Sequence, residues 1–348
     1  MKEIISKMNA KDRKILYELD RDARQSYAEM GRKVRLSKEV VRYRIDRMQE
    51  NGPIVRFYTL TNYFKLGIVK YKLYLRLRNV DSGKIEEIGE YFKNNGKTEW
   101  VVTCTGRWDM IVGFLVRNIN EFDEEVQNMM NRFSGHIQEK AMTTTLYLAH
   151  HRREYLSDSP VGERKRVVYH TSADRQEVID ETDREILIII TNNARMPVHE
   201  IASIAGTTPR IVQYRMRRME KDDVILAYKA HLDPKRMGNI FCKAIICLAS
   251  SDRERLGEFV NYCSSLPQAV WPQRVIGAWD FEIDFELESY DRFQEIMFGI
   301  KEKFSDIFQS YEFAIVTKEF KLDFFPGCLP AQASAPSGQR SGRSKAGP

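Results

Sequence analysis

The sequence predicts an α+β fold in which a helical unit and a mixed strand-and-helix unit alternate twice along the chain. Three observations predict it. The chain matches itself when shifted by 171 residues, each copy opens with three short amphipathic helices, and each copy then runs through segments in the order βαββαβ. The shift lays Asp12-Arg13 on Asp183-Arg184, Ala23-Arg24 on Ala194-Arg195, Tyr43-Arg44 on Tyr214-Arg215 and Arg47-Met48 on Arg218-Met219. It also lays Gly67 on Gly238, Trp100 on Trp271, and Gly106 and Trp108-Asp109 on Gly277 and Trp279-Asp280. A match of about 120 positions without a gap is a duplicated two-domain unit, not a short solenoid repeat.

In copy one, Asn9 or Asp12 caps a first helix carrying Ile15, Leu16 and Leu19. Ser26 and Glu29 have capping-box spacing at the start of a second helix. Ser37 caps a third, with Val41, Ile45 and Met48 on one face. In copy two Thr208 is the cap, Pro209 takes the first helical position, where its missing amide costs nothing, and Val212, Met216 and Met219 repeat the apolar face. Strand-like runs at 54–58 and 225–228 suit a wing, so each unit reads as a winged helix-turn-helix.

The outward face of the third helix decides what such a unit does. In copy two it presents Arg210, Tyr214, Arg217, Arg218 and Lys221, with Gln213 beside them, a set suited to base edges and phosphates in a major groove. In copy one the same face holds Glu39, Tyr43, Asp46, Arg47 and Glu50, and Lys38 and Arg42 approach from its flanks. The expected contacts to double-stranded DNA are Lys38, Arg42, Tyr43, Arg47, Arg210, Gln213, Tyr214, Arg217 and Arg218. Residues 1–58 carry 15 Lys and Arg against 9 Asp and Glu; residues 179–228 carry 7 against 8. Local geometry outweighs domain charge at hydrogen-bond range, because exposed charges beyond about 8–10 Å are screened. Arg217 and Arg218 are therefore expected to dominate specific affinity.

The second unit of each copy opens with an alternating strand. Tyr71, Leu73 and Leu75 lie on one side of it, and Lys70, Lys72, Arg76 and Arg78 on the other. Helices with apolar faces at Ile85, Ile88 and Phe92, and at Phe122, Val126, Met129 and Phe133, complete a ferredoxin-like βαββαβ order. Pro272 falls in the second strand of copy two, tolerable if that strand is a sheet edge. Glu282, Asp284 and Glu286 make an acidic row where copy one has Ile111, Gly113 and Leu115. Paired sheets would set this row against the basic one, giving an intrachain pseudo-dimer of unlike halves, with higher homo-oligomers through other surfaces. The bland alternative is that each row is a solvated face.

The predicted boundaries are a winged helix-turn-helix at 1–59, a sensor at 60–150, an exposed linker at 151–178, a second winged helix-turn-helix at 179–229, a second sensor at 230–328 and a disordered tail at 329–348. The basic run Arg164-Lys165-Arg166 in the linker reads as solvated rather than DNA-bound. The five cysteines have no C-x-x-C spacing and the start of the chain lacks an apolar signal segment. With no long apolar run, this predicts a cytoplasmic protein without membrane span, metal or cofactor.

The chain resembles the leucine-responsive regulatory protein/AsnC family in the run from Ile179 through Asp183-Arg184 to Leu187. It does so again in Asp22-Ala23-Arg24-Gln25-Ser26 and in Leu36-Ser37, Val41, Arg44-Ile45 and Arg47-Met48. The resemblance covers about 300 residues and recurs in the same order. It implies a transcription regulator, and it implies that the loops holding Gly106, Asp109, Gly277 and Asp280 border a pocket for an amino acid or similar effector. A tight hairpin with a capping Asp is the simpler reading of those loops. Two departures stand out. Asp222-Asp223 occupies the place of the family's glycine before the wing, and Pro53 lies in the matching turn of copy one.

Two other functions are open. Fused siroheme-decarboxylase-like enzymes of haem biosynthesis resemble the same fold and are expected to carry His and Arg on the sensor sheet. None of the six histidines lies in the second or third strand of either sensor, so no enzyme is predicted. A regulator acting mainly through protein contacts with transcription machinery is the other alternative, kept open by the mixed outward face of the copy-one helix.

Overall fold

The computed structural model describes residues 8–157, the backbone of 166–170, and residues 176–249 and 252–325. The first helical unit is α1 (Ala10–Arg21), α2 (Tyr27–Val34) and α3 (Lys38–Glu50). Asn9, Ser26 and Ser37 each accept a backbone N–H of the following first turn, satisfying donors that a helix start leaves unpaired. Strand β1 (Ile54–Thr61) leads into β2 (Val69–Leu77), α4 (Ser82–Lys93), β3 (Thr98–Gly106), β4 (Met110–Val116), α5 (Ile119–Phe133) and β5 (Ile137–His151). A short strand, β6 (Arg166–His170), follows.

Copy two repeats the series as α6 (Glu181–Asn192), α7 (Val198–Ile204), α8 (Pro209–Lys221), β7 (Ile225–Leu232), β8 (Ile240–Leu248), α9 (Arg253–Ser265), β9 (Ala269–Gly277), β10 (Phe281–Leu287), α10 (Tyr290–Lys303) and β11 (Phe308–Leu322). All ten start on the 171-residue offset, the five strands included.

The two sensor sheets do not stack face to face. Each has the antiparallel order expected of βαββαβ, β5-β2-β4-β3 and β11-β8-β10-β9, and the edges join: β3 pairs with β11 and β5 with β9. Eight strands thereby close into a barrel whose helices lie outside, with β6 appended to β5. Closure removes the open edges that would otherwise invite mispairing. Outside, Leu73, Val101, Val112 and Phe114 pack under α4 and α5 with Phe92, Phe122 and Phe133, and Phe281, Ile283 and Phe285 pack under α9 and α10. Strand β9 is therefore an inner strand. Pro272 is tolerated for another reason than the edge position expected: the β9 register on β5 stops at Gln273, so no β5 carbonyl waits for the missing N–H.

The runs expected to form wings find their sheet partners across the copies. β1 and β7 pair with each other, antiparallel, as a two-stranded ribbon linking the copies. Either side of it the helical units clasp reciprocally. The N–H of Ala23 donates to Tyr228 O at 2.9 Å, and that of Ala194 to Phe57 O at 3.1 Å. Arg24 donates to Ala194 O, and Arg195 to Ala23 O. The repeated Ala-Arg pair is thus the hinge of a pseudo-twofold axis.

The segment read as an exposed linker begins as core. His151, Arg153, Glu154 and Leu156 are all buried, because Arg153 reaches carboxylates on two other elements, as described below. Arg164 and Lys165, and the tail at 329–348, lie outside the described residues. No helix among the described residues is long and apolar enough to cross a membrane.

Candidate nucleic-acid interface and sensor barrel

The third helix of each copy is held by one buried aspartate on the first. Asp12 accepts from Arg44 at 2.7 Å and from Arg47 at 2.8 Å. Asp183 accepts from Arg215 at 2.9 Å and from Arg218. Buried carboxylates need such partners, so these arginines orient the helix. Sequence reasoning assigned Arg47 and Arg218 to DNA and missed their anchor. The signal was there, since Asp12, Arg44 and Arg47 all recur at the 171-residue offset.

What remains outward differs between the copies. On α8, Arg210, Gln213, Tyr214, Arg217 and Lys221 are exposed, and Arg210 and Arg217 have no carboxylate partner among the described residues. On α3, Lys38, Arg42 and Tyr43 are exposed, but Lys38 lies 3.6 Å from Glu39 and Arg42 3.6 Å from Asp46. The turn after α8 is made without glycine: Asp223 itself takes φ +55, a conformation Asp tolerates better than most residues.

The Gly-x-Trp-Asp loops close one end of the barrel. The N–H of Leu77 donates to Asp109 Oδ2 at 2.7 Å, and that of Leu248 to Asp280 Oδ2 at 2.8 Å. Both carboxylates thus satisfy backbone at the end of a first strand. Gly106 (φ +130) and Gly277 (φ +143) press on the opposite copy. A Cβ would stand 2.4 Å from Phe313 O at Gly106 and 2.2 Å from Met142 O at Gly277, and only glycine fits. Trp108 and Trp279 are buried with Tyr74, whose ring meets Trp279 edge-on at 4.5 Å.

The barrel interior holds a buried ionic cluster among apolar and aromatic side chains. Lys72 Nζ of copy one lies 2.5 Å from Glu282 of copy two, and Lys243 lies 3.2 Å from Glu282 and 2.7 Å from Asp284. Lys70 pairs instead with Glu99 of its own copy at 2.6 Å, while Arg76 and Arg78 are exposed. Burial pushes the Glu282 carboxyl up, but Lys72 and Lys243, with hydrogen bonds from Lys72 and Trp279, outweigh it and hold the group well below its usual range. The third acid of the row, Glu286, takes a two-pronged bond from Arg153 at 2.8 Å on each arm. Arg153 also reaches Asp20 of α1 at 2.9 Å, and Lys229 of β7 reaches the same carboxylate at 3.2 Å. Burial raises the Asp20 pKa, yet Lys229 and Arg153 bring it below normal. This cluster ties the first helical unit to the barrel. Phe324 stands where copy two would need its own arginine, so no repeat revealed it.

Of the histidines, His150 and His151 end β5 and His231 sits on β7, all where ribbon meets barrel. His136 and His199 are away from that junction, on a 3-10 turn and on α7. No group of three or more candidate metal ligands occurs among the described residues.

An AsnC-type helix-turn-helix domain matches residues 8–49 and 179–220. The proline dehydrogenase transcriptional activator of Rhodobacter capsulatus is 30% identical over 122 residues, 35% of this chain and 79% of that protein. An uncharacterized HTH-type transcriptional regulator of Pyrococcus furiosus is 29% identical over 125 residues, 36% of this chain and 82% of that protein. Among solved structures, the siroheme decarboxylase NirDL aligns with a TM-score of 0.58 over 90% of this chain and 93% of that one, at 13% identity. That is a likeness of fold. Each sequence relative matches one unit's length, and this chain carries two. The chain belongs to the leucine-responsive regulatory protein/AsnC family of transcription regulators, with two family units in one polypeptide.

Proposed function

We propose that the chain regulates transcription by binding double-stranded DNA at two unlike half-sites, with α8 as the main sequence reader. The observation that carries this is the exposed and carboxylate-free set of Arg210 and Arg217 on α8, flanked by Gln213 and Tyr214. Paired helix-turn-helix units read half-sites about one helical turn apart, and like units read palindromes. Here the clasped units are unlike, so the operator is asymmetric. The first unit, with Lys38, Arg42 and Tyr43 exposed on α3, supplies attraction that falls with salt at a log-log slope near −0.9 per phosphate. Arg47 and Arg218 act mainly by seating their helices on Asp12 and Asp183.

Genome-wide mapping of bound DNA, followed by footprinting, supplies the operator. On it, Arg217→Ala should cost about 1–3 kcal/mol of binding and relax specificity at one base position. Arg42→Ala should weaken all sequences alike and flatten the salt slope by about one contact. Wild-type affinity in Arg217→Ala with binding abolished in Arg42→Ala would reverse the assignment.

A small effector, an amino acid or similar molecule, modulates this binding in the same proposal. Support comes from the exposed Gly106 and Gly277 loops at the copy junction. A thermal-shift screen of the common amino acids tests it, since a ligand of the folded state raises its melting temperature. No response to any of them leaves the loops as structural hairpins. The regulator reading is also a non-enzymatic one: loss of a carboxyl group from added siroheme, followed by absorbance, would overturn it.

A further inference from the structure

A cavity of about 350 Å³ opens where the ribbon meets the barrel; its counterpart across the pseudo-twofold, lined by Lys70, Trp100, Leu148 and Phe324, holds only about 30 Å³. Its wall includes His231, Pro234, Lys235, Phe241, Trp271 and Glu319. The offset positions in copy one are filled: Leu60, Tyr63, Phe64 and Leu148 stand where copy two has His231, Pro234, Lys235 and Glu319. Phe324 stands opposite Arg153, which also lines the cavity. All five of these apolar and aromatic residues are buried in a single cluster. The same fold thus nearly fills one place and leaves the other about tenfold roomier, with polar groups around it. Protein interiors rarely leave such space unfilled, and this volume is within the range of small-molecule sites.

The lining has a definite chemistry. Phe241 and Trp271 meet edge to face at 5.6 Å and offer an aromatic wall. Lys235 is exposed at the mouth, where its Nζ donates to Thr317 O and keeps two further donors, and it has no carboxylate partner among the described residues. His231 Nε2 faces Glu319 Oε1 at 3.1 Å, while its Nδ1 is buried without a hydrogen-bond partner. With Nε2–H donating to Glu319, Nδ1 is left as an acceptor in need of a donor.

We infer that this cavity binds a small aromatic carboxylic acid that also carries a hydroxyl or ring N–H. The ring lies against Phe241 and Trp271, the carboxylate meets Lys235, and the ligand's donor completes His231. Arg153 and Glu286 line the same cavity and run on to Asp20 of α1. Occupancy therefore changes DNA affinity through the first helical unit, a consequence that, unlike the binding, rests on the DNA-binding reading above.

The test uses the full chain with 4-hydroxyphenylacetate and indole-3-acetate as probes, and 4-hydroxyphenylethanol and acetate as controls. Melting temperature and tryptophan fluorescence should respond saturably to the two acids and not to the controls. Lys235→Ala should weaken both acids roughly tenfold or more, as expected for one charge-assisted bond. Lys235→Phe, which installs the residue copy one has there, should abolish the response, while Lys65→Ala leaves it intact. No response to either acid, equal binding of the alcohol, or unchanged affinity in both Lys235 variants overturns the site. Binding is read without DNA, so the two proposals fail separately. A saturated site that leaves operator affinity unchanged overturns the coupling alone.

Discussion

The inner faces of the two sensor sheets are built to the same plan and filled with different chemistry. On the third strand, copy one sets Ile111, Gly113 and Leu115 where copy two sets Glu282, Asp284 and Glu286. Both rows are buried apart from the glycine's missing side chain. The acids of copy two need cations, and one of these, Lys72, comes from the other copy. The difference shows how a duplicated unit can come to prefer its unlike sister. Two acidic sheets closed together would bury six carboxylates with too few partners, and like-charge burial disfavours that assembly.

The sharpest way to break this asymmetry is to remove one acid. Glu282→Ala leaves Lys72 and Lys243 sharing fewer partners in a buried site and should cost about 3–5 kcal/mol of stability. Ile111→Val, at the equivalent place in copy one, should cost only about 0.5–1.5 kcal/mol. Chemical denaturation of both variants measures the gap, and equal losses would deny the ionic cluster its role. Acid provides the same test without mutation. A carboxyl held below its ordinary 4.5 contributes stability that is present above that value and lost as pH falls through and below it. The melting temperature should drop as pH falls below about 4.5, and Glu282→Gln should remove part of that drop.

Smaller effects sharpen the likeness between the copies rather than the contrast. Gly106→Ala and Gly277→Ala each force a side chain into backbone of the opposite copy at a left-handed φ. Each should cost roughly 1–3 kcal/mol, and to a similar extent; a loss confined to one would show that the two junctions are not equivalent. Smallest of all, the turn between second and third helices has Arg35 at φ +56 where copy two has Gly206 at φ +60. Arg35→Gly should stabilise the chain by up to about 1 kcal/mol, read as a higher denaturation midpoint.

Periodic and repeated features were legible in the sequence. The helix faces, the caps at Ser26, Ser37 and Thr208, and the βαββαβ order follow from local spacing, and the offset duplicates each of them. The facing of Lys72 and the acidic row also followed, because alternation fixes which side of a strand a residue occupies. Contacts made by edges and connectors were not legible. Nothing local says that β3 pairs with β11 or that β1 pairs with β7, since these partners are brought together by the meeting of the two copies and not by each strand's own composition. Arg153 was hidden for the same reason: a lone arginine beyond a strand end reads as solvent-facing until Asp20 and Glu286 are brought to it. On α8, the sequence identified a basic helix face but could not separate Arg217 from Arg218, which an anchor on α6 divides.

The joint between β3 and β11 also imposes an order on synthesis. β3 ends at Gly106 and its outer partner ends at Leu322. At about 5–20 residues per second, the roughly two hundred residues between them take on the order of ten to forty seconds to emerge. Throughout that interval the nascent first sensor carries an unpaired strand edge, and for most of it Lys72 has no carboxylate from the second half. Two copies made side by side on one messenger could exchange halves in that time, each closing the other's barrel. The segment from His151 to Leu156 contacts α1 through Arg153 and Asp20, both made before the second half, and that contact, once formed, would hold each chain to itself and shorten the reach of the exchange.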